Sequence, residues 1–331
     1  MRLDLNEGAL GPSPKAIKAL SGIGSKIHTY PAESTSGLVE AIGVRYRIND
    51  PSRIVLGCGS DELIRALTQA YLEPGEEAIH TQYGFLQFPT AIKIAGGIPV
   101  SAPDNHYTAN VDAILERITS RTKIVFLANP NNPTGTYLSN KELKRLRVEL
   151  PQRVLLVLDA AYAEYVQIHD YSAGIDLVEQ NDNTVMLRTF SKMYGMAGLR
   201  LGWAYCSADI ANTLYAVKPP YSVNTPALLA GVAAINDLKF QKKSVDHNAV
   251  WLPWLQNEFK KLGMKPYSSV ANFFIIRLPK QAREYLAKRG IIVRSMSDYG
   301  KHEFIRISIG LEDDNRAVIQ TMVDFFNGIE V

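Results

Sequence analysis

The sequence predicts an α/β protein: a mostly parallel, doubly wound sheet in a large domain, with a smaller α+β domain beside it. Three observations carry this reading. Short apolar runs at 54–56, 123–128, 154–158, 184–187 and 201–206 are continuous rather than alternating. That is the pattern of parallel strands covered by helices on both faces. Helical segments lie between the runs, so strand and helix alternate from about 50 to 210. Beyond Lys218-Pro219-Pro220 the order changes to a long helical stretch and then to shorter strands and helices. A length of 331 residues suits about two domains.

The elements can be taken in order. Segment 60–71 places Leu63, Leu67, Ala70 and Tyr71 on one helical stripe. Ser139, followed three positions later by Glu142, has the pattern of a capping box. Thr225-Pro226 reads as an N-cap and first helical residue, opening a helical stretch to about Leu262. Strands are expected at 272–278, 290–294 and 304–309, with helices near 281–289 and 313–327. The expected division is a large α/β domain over 33–225. A small α+β domain over 226–331 would be joined by an N-terminal arm, 1–32.

Composition excludes several classes. Lys plus Arg is 36 and Asp plus Glu is 33, a net charge of +3, which is no nucleic-acid footprint. Hydrophobic residues make up 46% and charged residues 21%, which excludes extended disorder. No apolar run approaches the roughly 20 residues of a membrane helix. Met1-Arg2-Leu3-Asp4-Leu5-Asn6 has no apolar signal core, so a cytoplasmic location is expected. The two cysteines, Cys58 and Cys206, have neither a disulfide framework nor the spacing of a zinc site or redox pair, and no metal is expected.

Four motifs stand at or just beyond putative strand ends, where open α/β sheets bind ligands. Gly57-Cys58-Gly59-Ser60-Asp61-Glu62 leads from the first run into a helix, whose N-terminus suits a phosphate. A dinucleotide site would need a third glycine where Glu62 stands, and an acidic residue where Thr81-Gln82 stands. A plain N-cap at Ser60 is the simpler alternative. Asn129-Pro130-Asn131-Asn132-Pro133-Thr134-Gly135 is dense turn chemistry that leaves Asn132 able to donate to a ligand oxygen. Asp159 ends an apolar strand ahead of Ala160-Ala161-Tyr162 and needs a cationic partner there. Thr189-Phe190-Ser191-Lys192 places a lysine where it can attack a carbonyl, and Arg200 follows in a glycine-rich loop with a fork for phosphate.

Together these residues describe one ligand. It has a phosphate for Gly59, Ser60, Asp61, Thr189, Ser191 and Arg200, and an aldehyde for Lys192. Its ring nitrogen needs the carboxylate of Asp159, and its phenolic oxygen meets Asn132 and Tyr162. Pyridoxal 5′-phosphate has these groups, and the protein would tune its chemistry.

The order of motifs resembles the fold-type I pyridoxal-phosphate-dependent aminotransferases. Within class I/II it is most similar to the histidinol-phosphate aminotransferase group. The marks are Leu5-Asn6-Glu7, Tyr30-Pro31, Gly59 to Glu62, Asn129 to Gly135, Asp159 to Tyr162, Thr189 to Lys192 with Arg200, and Phe304 to Gly310. The resemblance implies catalytic roles for Lys192, Asp159 and Tyr162, and a place for Phe85 on the pyridine ring. It implies that Arg306, Arg294 and Asn6 contact the substrate. Tyr30 would reach the cofactor phosphate of a partner subunit, making a homodimer.

The reaction implied moves an amino group from histidinol phosphate, or an aromatic or related amino acid, to 2-oxoglutarate, as in histidine biosynthesis. A decarboxylase of the threonine-phosphate type shares these motifs, and a non-catalytic cofactor-binding module is a third reading. Two places depart from the family: Ala160, where an acidic residue is usual, and the stretch Gly8-Ala9-Leu10, in place of Asn-Pro-Tyr.

Overall fold

Every residue of four strands, Ile54–Gly57, Leu155–Asp159, Thr184–Thr189 and Gly202–Tyr205, is buried. Burial on both faces removes any need for polar alternation, which is why their sequences read as continuous apolar runs. The computed structural model describes residues 1–32 and 37–328, apart from the side chain of Lys26. The expected start of the large domain at residue 33 and end of the small domain at 331 lie outside the described residues.

The strands in chain order are β1 (Arg2–Leu3), β2 (Ile54–Gly57), β3 (Glu77–Thr81), β4 (Ile98–Ala102), β5 (Thr122–Ala128), β6 (Leu155–Asp159), β7 (Thr184–Thr189), β8 (Gly202–Tyr205), β9 (Phe273–Arg277), β10 (Ile292–Met296) and β11 (Lys301–Ser308). The helices are α1 (Pro14–Leu20), α2 (Leu38–Tyr46), α3 (Ser60–Tyr71), α4 (Gln87–Ile94), α5 (Val111–Leu115), α6 (Asn140–Glu149), α7 (Ile175–Gln180), α8 (Ala208–Val217), α9 (Thr225–Ile235), α10 (Leu238–Lys261), α11 (Lys280–Lys288) and α12 (Glu312–Phe326).

A seven-stranded sheet has the order β2-β8-β7-β6-β5-β3-β4. Val55, Phe126, Val157 and Leu187 face α3, α4 and α8. Val125, Leu156 and Leu158 face α5, α6 and α7. The doubly wound α/β fold is therefore present. A four-stranded sheet, β1-β10-β11-β9, forms a second core with α10, α11 and α12. Its β1 comes from the start of the chain and pairs parallel with β10. Helices α1 and α9 share a third core with α2 and Trp203 of β8.

The structure corrects some expectations. The run at 201–206 was expected to be parallel, yet β8 lies antiparallel to both β7 and β2. The connection from β7 holds one short helical turn, Ala197–Leu199, and turns straight back. A parallel return is usually carried by a full crossover helix, which this connection lacks. The helical stretch after Thr225 is two helices, broken at Asn236-Asp237, and α9 is capped one residue earlier, by Asn224 accepting from the Ala227 N–H at 2.9 Å. Ser139 caps α6 through the Glu142 N–H at 3.3 Å, but Glu142 turns to Arg145 at 2.8 Å, leaving half a capping box. Gly59, with φ 77°, is the N-cap of α3, so Ser60 is its first helical residue.

Candidate active site

Strands β5, β6 and β7 run side by side and end at one edge, where Asp159 is in register with Ala128 and Leu187. Asp159 is 5% exposed, and its Oδ1 accepts from the Ala161 N–H at 3.1 Å. Burial, helped by the charge of Asp61, pushes its carboxyl up to about 7, against the pull of that N–H and of Lys192. A protonated ring nitrogen brought to this carboxyl supplies the missing counter-charge.

At the other end of the same cavity, the start of α3 packs on β8. A Cβ on Gly202 would lie 2.4 Å from the Ser60 nitrogen, and one on Gly59 would lie 2.5 Å from Arg200 Nη2. Bare backbone at these two places lets Ser60, Arg200 and Ser191 converge. Arg200 Nη1 donates to Ser191 Oγ at 3.3 Å, and Nη2 to Asp61 Oδ2 at 3.1 Å. The Thr189 hydroxyl shapes the turn: it accepts from the Ser191 N–H at 3.1 Å and donates to Leu201 O at 3.3 Å. A helix start with an arginine and two serines is an anion cradle.

Lys192 stands between these ends. Its Nζ donates to Leu5 O at 3.0 Å and lies 5.6 Å from the centroid of the Tyr162 ring. The N-terminal arm closes over this turn because Gly8 has no side chain; a Cβ there would sit 2.4 Å from Lys192 O. The cavity has a volume of about 380 Å³. A second, of about 320 Å³, adjoins it and shares Leu5, Phe85, Asn132, Tyr162 and Lys192 with it.

Arg306 lines the second cavity at 8% exposure. It donates to Asn132 Oδ1, and to Asp4 O at 2.6 Å. Its buried Nε has no partner among the described residues. Burial lowers its pKa, the mark of a guanidinium short of counter-charge. Arg294 is directly opposite in the β10–β11 register and also lines the cavity, held by Asp298 at 2.5 Å. Arg294 is thus already paired, while Arg306 has only neutral oxygens as partners among the described residues, and its charge suits an anion in this hollow.

Thirteen of the residues singled out from the sequence line one cavity or the other: Ser60, Asp61, Phe85, Asn132, Asp159, Tyr162, Thr189, Ser191, Lys192, Arg200, Asn6, Arg294 and Arg306. Gly59 acts through its contact with Arg200. Asn6 is bonded by its side chain to Tyr162 and Ser308. Tyr30 lines neither cavity; it is 80% exposed and stacks on Tyr221 with centroids 4.7 Å apart. Sequence reasoning missed Gln87, whose buried Nε2 has no partner among the described residues, and Tyr299, whose hydroxyl burial pushes up. Gln87 lies two positions beyond Phe85; Tyr299 stands in a turn with no distinguishing pattern.

Residues 1–321 match the family model described as aminotransferase class I and II. The chain belongs to that family. Among curated relatives it is similar to the histidinol-phosphate aminotransferase of Paramagnetospirillum magneticum, 48% identical over 98% of this chain and 91% of the relative. That of Rhodospirillum centenum is 45% identical over 99% of this chain and 92% of the relative. Among solved structures, the histidinol-phosphate aminotransferase of Sinorhizobium meliloti in complex with pyridoxal 5′-phosphate shares the fold. Its TM-score is 0.92 at 23% identity, covering 99% of this chain and 91% of that one. The family is one of pyridoxal-phosphate-dependent transaminases, so fold type I and the cofactor read from the motifs stand. The residues fit that group: a buried carboxylate lacking a counter-charge, an anion cradle, and an amine between them.

Proposed function

We propose that this aminotransferase takes histidinol phosphate as amino donor and 2-oxoglutarate as acceptor. The observation that carries the donor assignment is the second cavity, where Arg306 and Arg294 face each other and a buried guanidinium N–H is unpartnered. A phosphate or carboxylate is the bidentate partner such a fork takes. The names of the relatives support the same donor. The relatives named above favour neither the decarboxylase nor the non-catalytic reading.

When bound, the cofactor supplies an electron sink that makes the substrate's α-proton removable. In this reading Asp159 holds the ring nitrogen protonated. Ser60, Ser191 and Arg200 would hold the phosphate, Asn132 and Tyr162 the phenolic oxygen, and Phe85 the ring. Lys192, whose Nζ donates to a backbone carbonyl, would serve as the base that takes the substrate's α-proton and as the acid that gives it back. Arg306 and Arg294 fix the anionic end so that the α-carbon faces Lys192.

The same proposal includes a homodimer with Tyr30 reaching the partner's site, the division at 33–225, and a cytoplasmic location. No helix among the described residues is long and apolar enough to cross a membrane.

The test is a panel of amino donors with 2-oxoglutarate, followed by kinetics of Arg306→Ala. Histidinol phosphate should be the best donor. Arg306→Ala should raise its KM at least about 30-fold, the loss expected for a charge pair of about 2–5 kcal/mol. The rate with histidinol, which lacks the phosphate, should hardly change. Equal losses for both compounds, or an aromatic amino acid as the better donor, would overturn the assignment.

A further inference from the structure

Tyr162 does not stand alone behind the cavity. Its hydroxyl oxygen accepts from Asn6 Nδ2 at 3.1 Å. Asn6 is 1% exposed, with φ 55°, and its Oδ1 accepts from Ser308 Oγ at 3.0 Å. Ser308, on β11 two residues beyond Arg306, is 3% exposed, and its Oγ also accepts from the Asn6 backbone N–H at 2.9 Å. The three side chains form one line from the small sheet to the strand end of the large one.

The direction of this line can be followed from its far end. The Asn6 backbone N–H can only donate, so it fills one lone pair of Ser308 Oγ. The one hydrogen of Ser308 then goes to the nearest acceptor, the side-chain oxygen of Asn6. An amide has one carbonyl and one NH₂, so placing the oxygen toward Ser308 turns the NH₂ toward Tyr162. The polarity of the line is that of the amide as it stands in the structure, with Oδ1 toward Ser308 and Nδ2 toward Tyr162. A phenol oxygen that accepts from Asn6 keeps its own hydrogen free. The other side of Tyr162 is the cavity it lines together with Lys192 and Asn132.

We propose that Ser308 and Asn6 are positioning residues that set the hydrogen-bond polarity of Tyr162, forcing its O–H to point into the cofactor cavity as a donor. The inference rests on the cofactor reading above and deepens it. A donor aimed at the cofactor's phenolic oxygen stabilises that oxygen as an anion, and so favours loss of the proton shared with the neighbouring nitrogen. Because Ser308 and Arg306 share a strand, the part of the site that holds the substrate's anion also fixes the orientation of the phenol.

The test uses the full chain loaded with pyridoxal 5′-phosphate, and reads the pH midpoint of the bound cofactor's absorbance change, not turnover. Ser308→Ala frees the Asn6 amide to flip and Tyr162 to turn away. The midpoint should rise by about 0.7 pH unit, which converts to about 1 kcal/mol, the usual net value of one hydrogen bond. Cofactor binding should weaken about fivefold. Ser308→Thr, which keeps the hydroxyl, should restore both. In a Tyr162→Phe background, Ser308→Ala should move the midpoint by less than about 0.1 unit, since the residue acts only through the phenol. Should the alanine variant fail to fold, Ser308→Cys keeps the bulk with a weak donor and should shift the midpoint in the same direction.

An equal shift in both backgrounds would show that Ser308 acts on the site by another route. No shift in either would show that the polarity of Tyr162 is not set by it. Absence of a cofactor band in the unaltered protein would instead defeat the cofactor reading, and the relay with it.

Discussion

Asp159 combines deep burial with the need for a charge, and its titration gives the cost a sign. Its folded value of about 7 lies above that of an unfolded aspartate. The term therefore favours the folded state below the unfolded value, and is lost as pH rises toward 7. In the cofactor-free protein, Asp159→Asn should raise stability, and more so at pH 8 than at pH 5.5, by about 1–2 kcal/mol. Urea melts at the two pH values measure this, and an equal gain at both would refute it. In the loaded enzyme the same substitution removes the partner of the ring nitrogen. A buried interaction of roughly 3–5 kcal/mol corresponds to a turnover loss of several hundred-fold or more. Opposite signs with and without cofactor would separate a functional carboxylate from a structural one.

Between elements, the turns carrying Asp159–Tyr162 and Thr189–Lys192 are joined by a buried ion pair. Arg188 on β7 donates to Glu164 Oε1 at 2.7 Å, with side-chain exposures of 4% and 6%. Tyr46 of α2 donates to the same oxygen at 3.0 Å and shares a 2.8 Å bond with Tyr194. Arg188→Met should cost about 3–5 kcal/mol by leaving Glu164 charged and buried, and adding Glu164→Leu should recover most of it. Denaturant unfolding of the two variants decides this; a double variant no more stable than the single would count against it. The pair also explains what the sequence concealed. A run ending at residue 187 is what an apolar pattern gives when Arg188 follows, yet β7 continues to Thr189 because the arginine's partner lies 24 residues away in the chain. Strand β4 escaped notice for a different reason. It sits at the sheet edge, half exposed, and has no continuous apolar run. The residues that line the candidate cavities were legible because strand-end motifs are local, while the direction of β8 depends on how its connection packs.

At the scale of the whole molecule, Tyr30 is the one candidate site residue that makes no approach to its own site. It is exposed and stacked on Tyr221, itself 55% exposed, with Ile27 at 71% close by in sequence. Beside them a hollow of about 740 Å³ is lined by Pro31, Pro219 and Pro220. Apolar rings left in water over a continuous stretch mark a surface that another molecule covers. In the homodimer we propose, that molecule is a second copy, and Tyr30 completes its cofactor phosphate cradle. Mixing Lys192→Ala subunits with Tyr30→Phe subunits tests this. Each parent dimer lacks one required residue at every site. In a hybrid, the Tyr30→Phe subunit keeps its own Lys192 and receives an intact Tyr30 from its neighbour, so one site of the two is whole. That site should regain the cofactor affinity of the unaltered enzyme, read by titrating pyridoxal 5′-phosphate into subunits exchanged at equal ratio. If Tyr30 serves its own subunit, no hybrid site holds both residues. Exchanged hybrids that bind no better than the Tyr30→Phe parent would therefore remove Tyr30 from the partner's site.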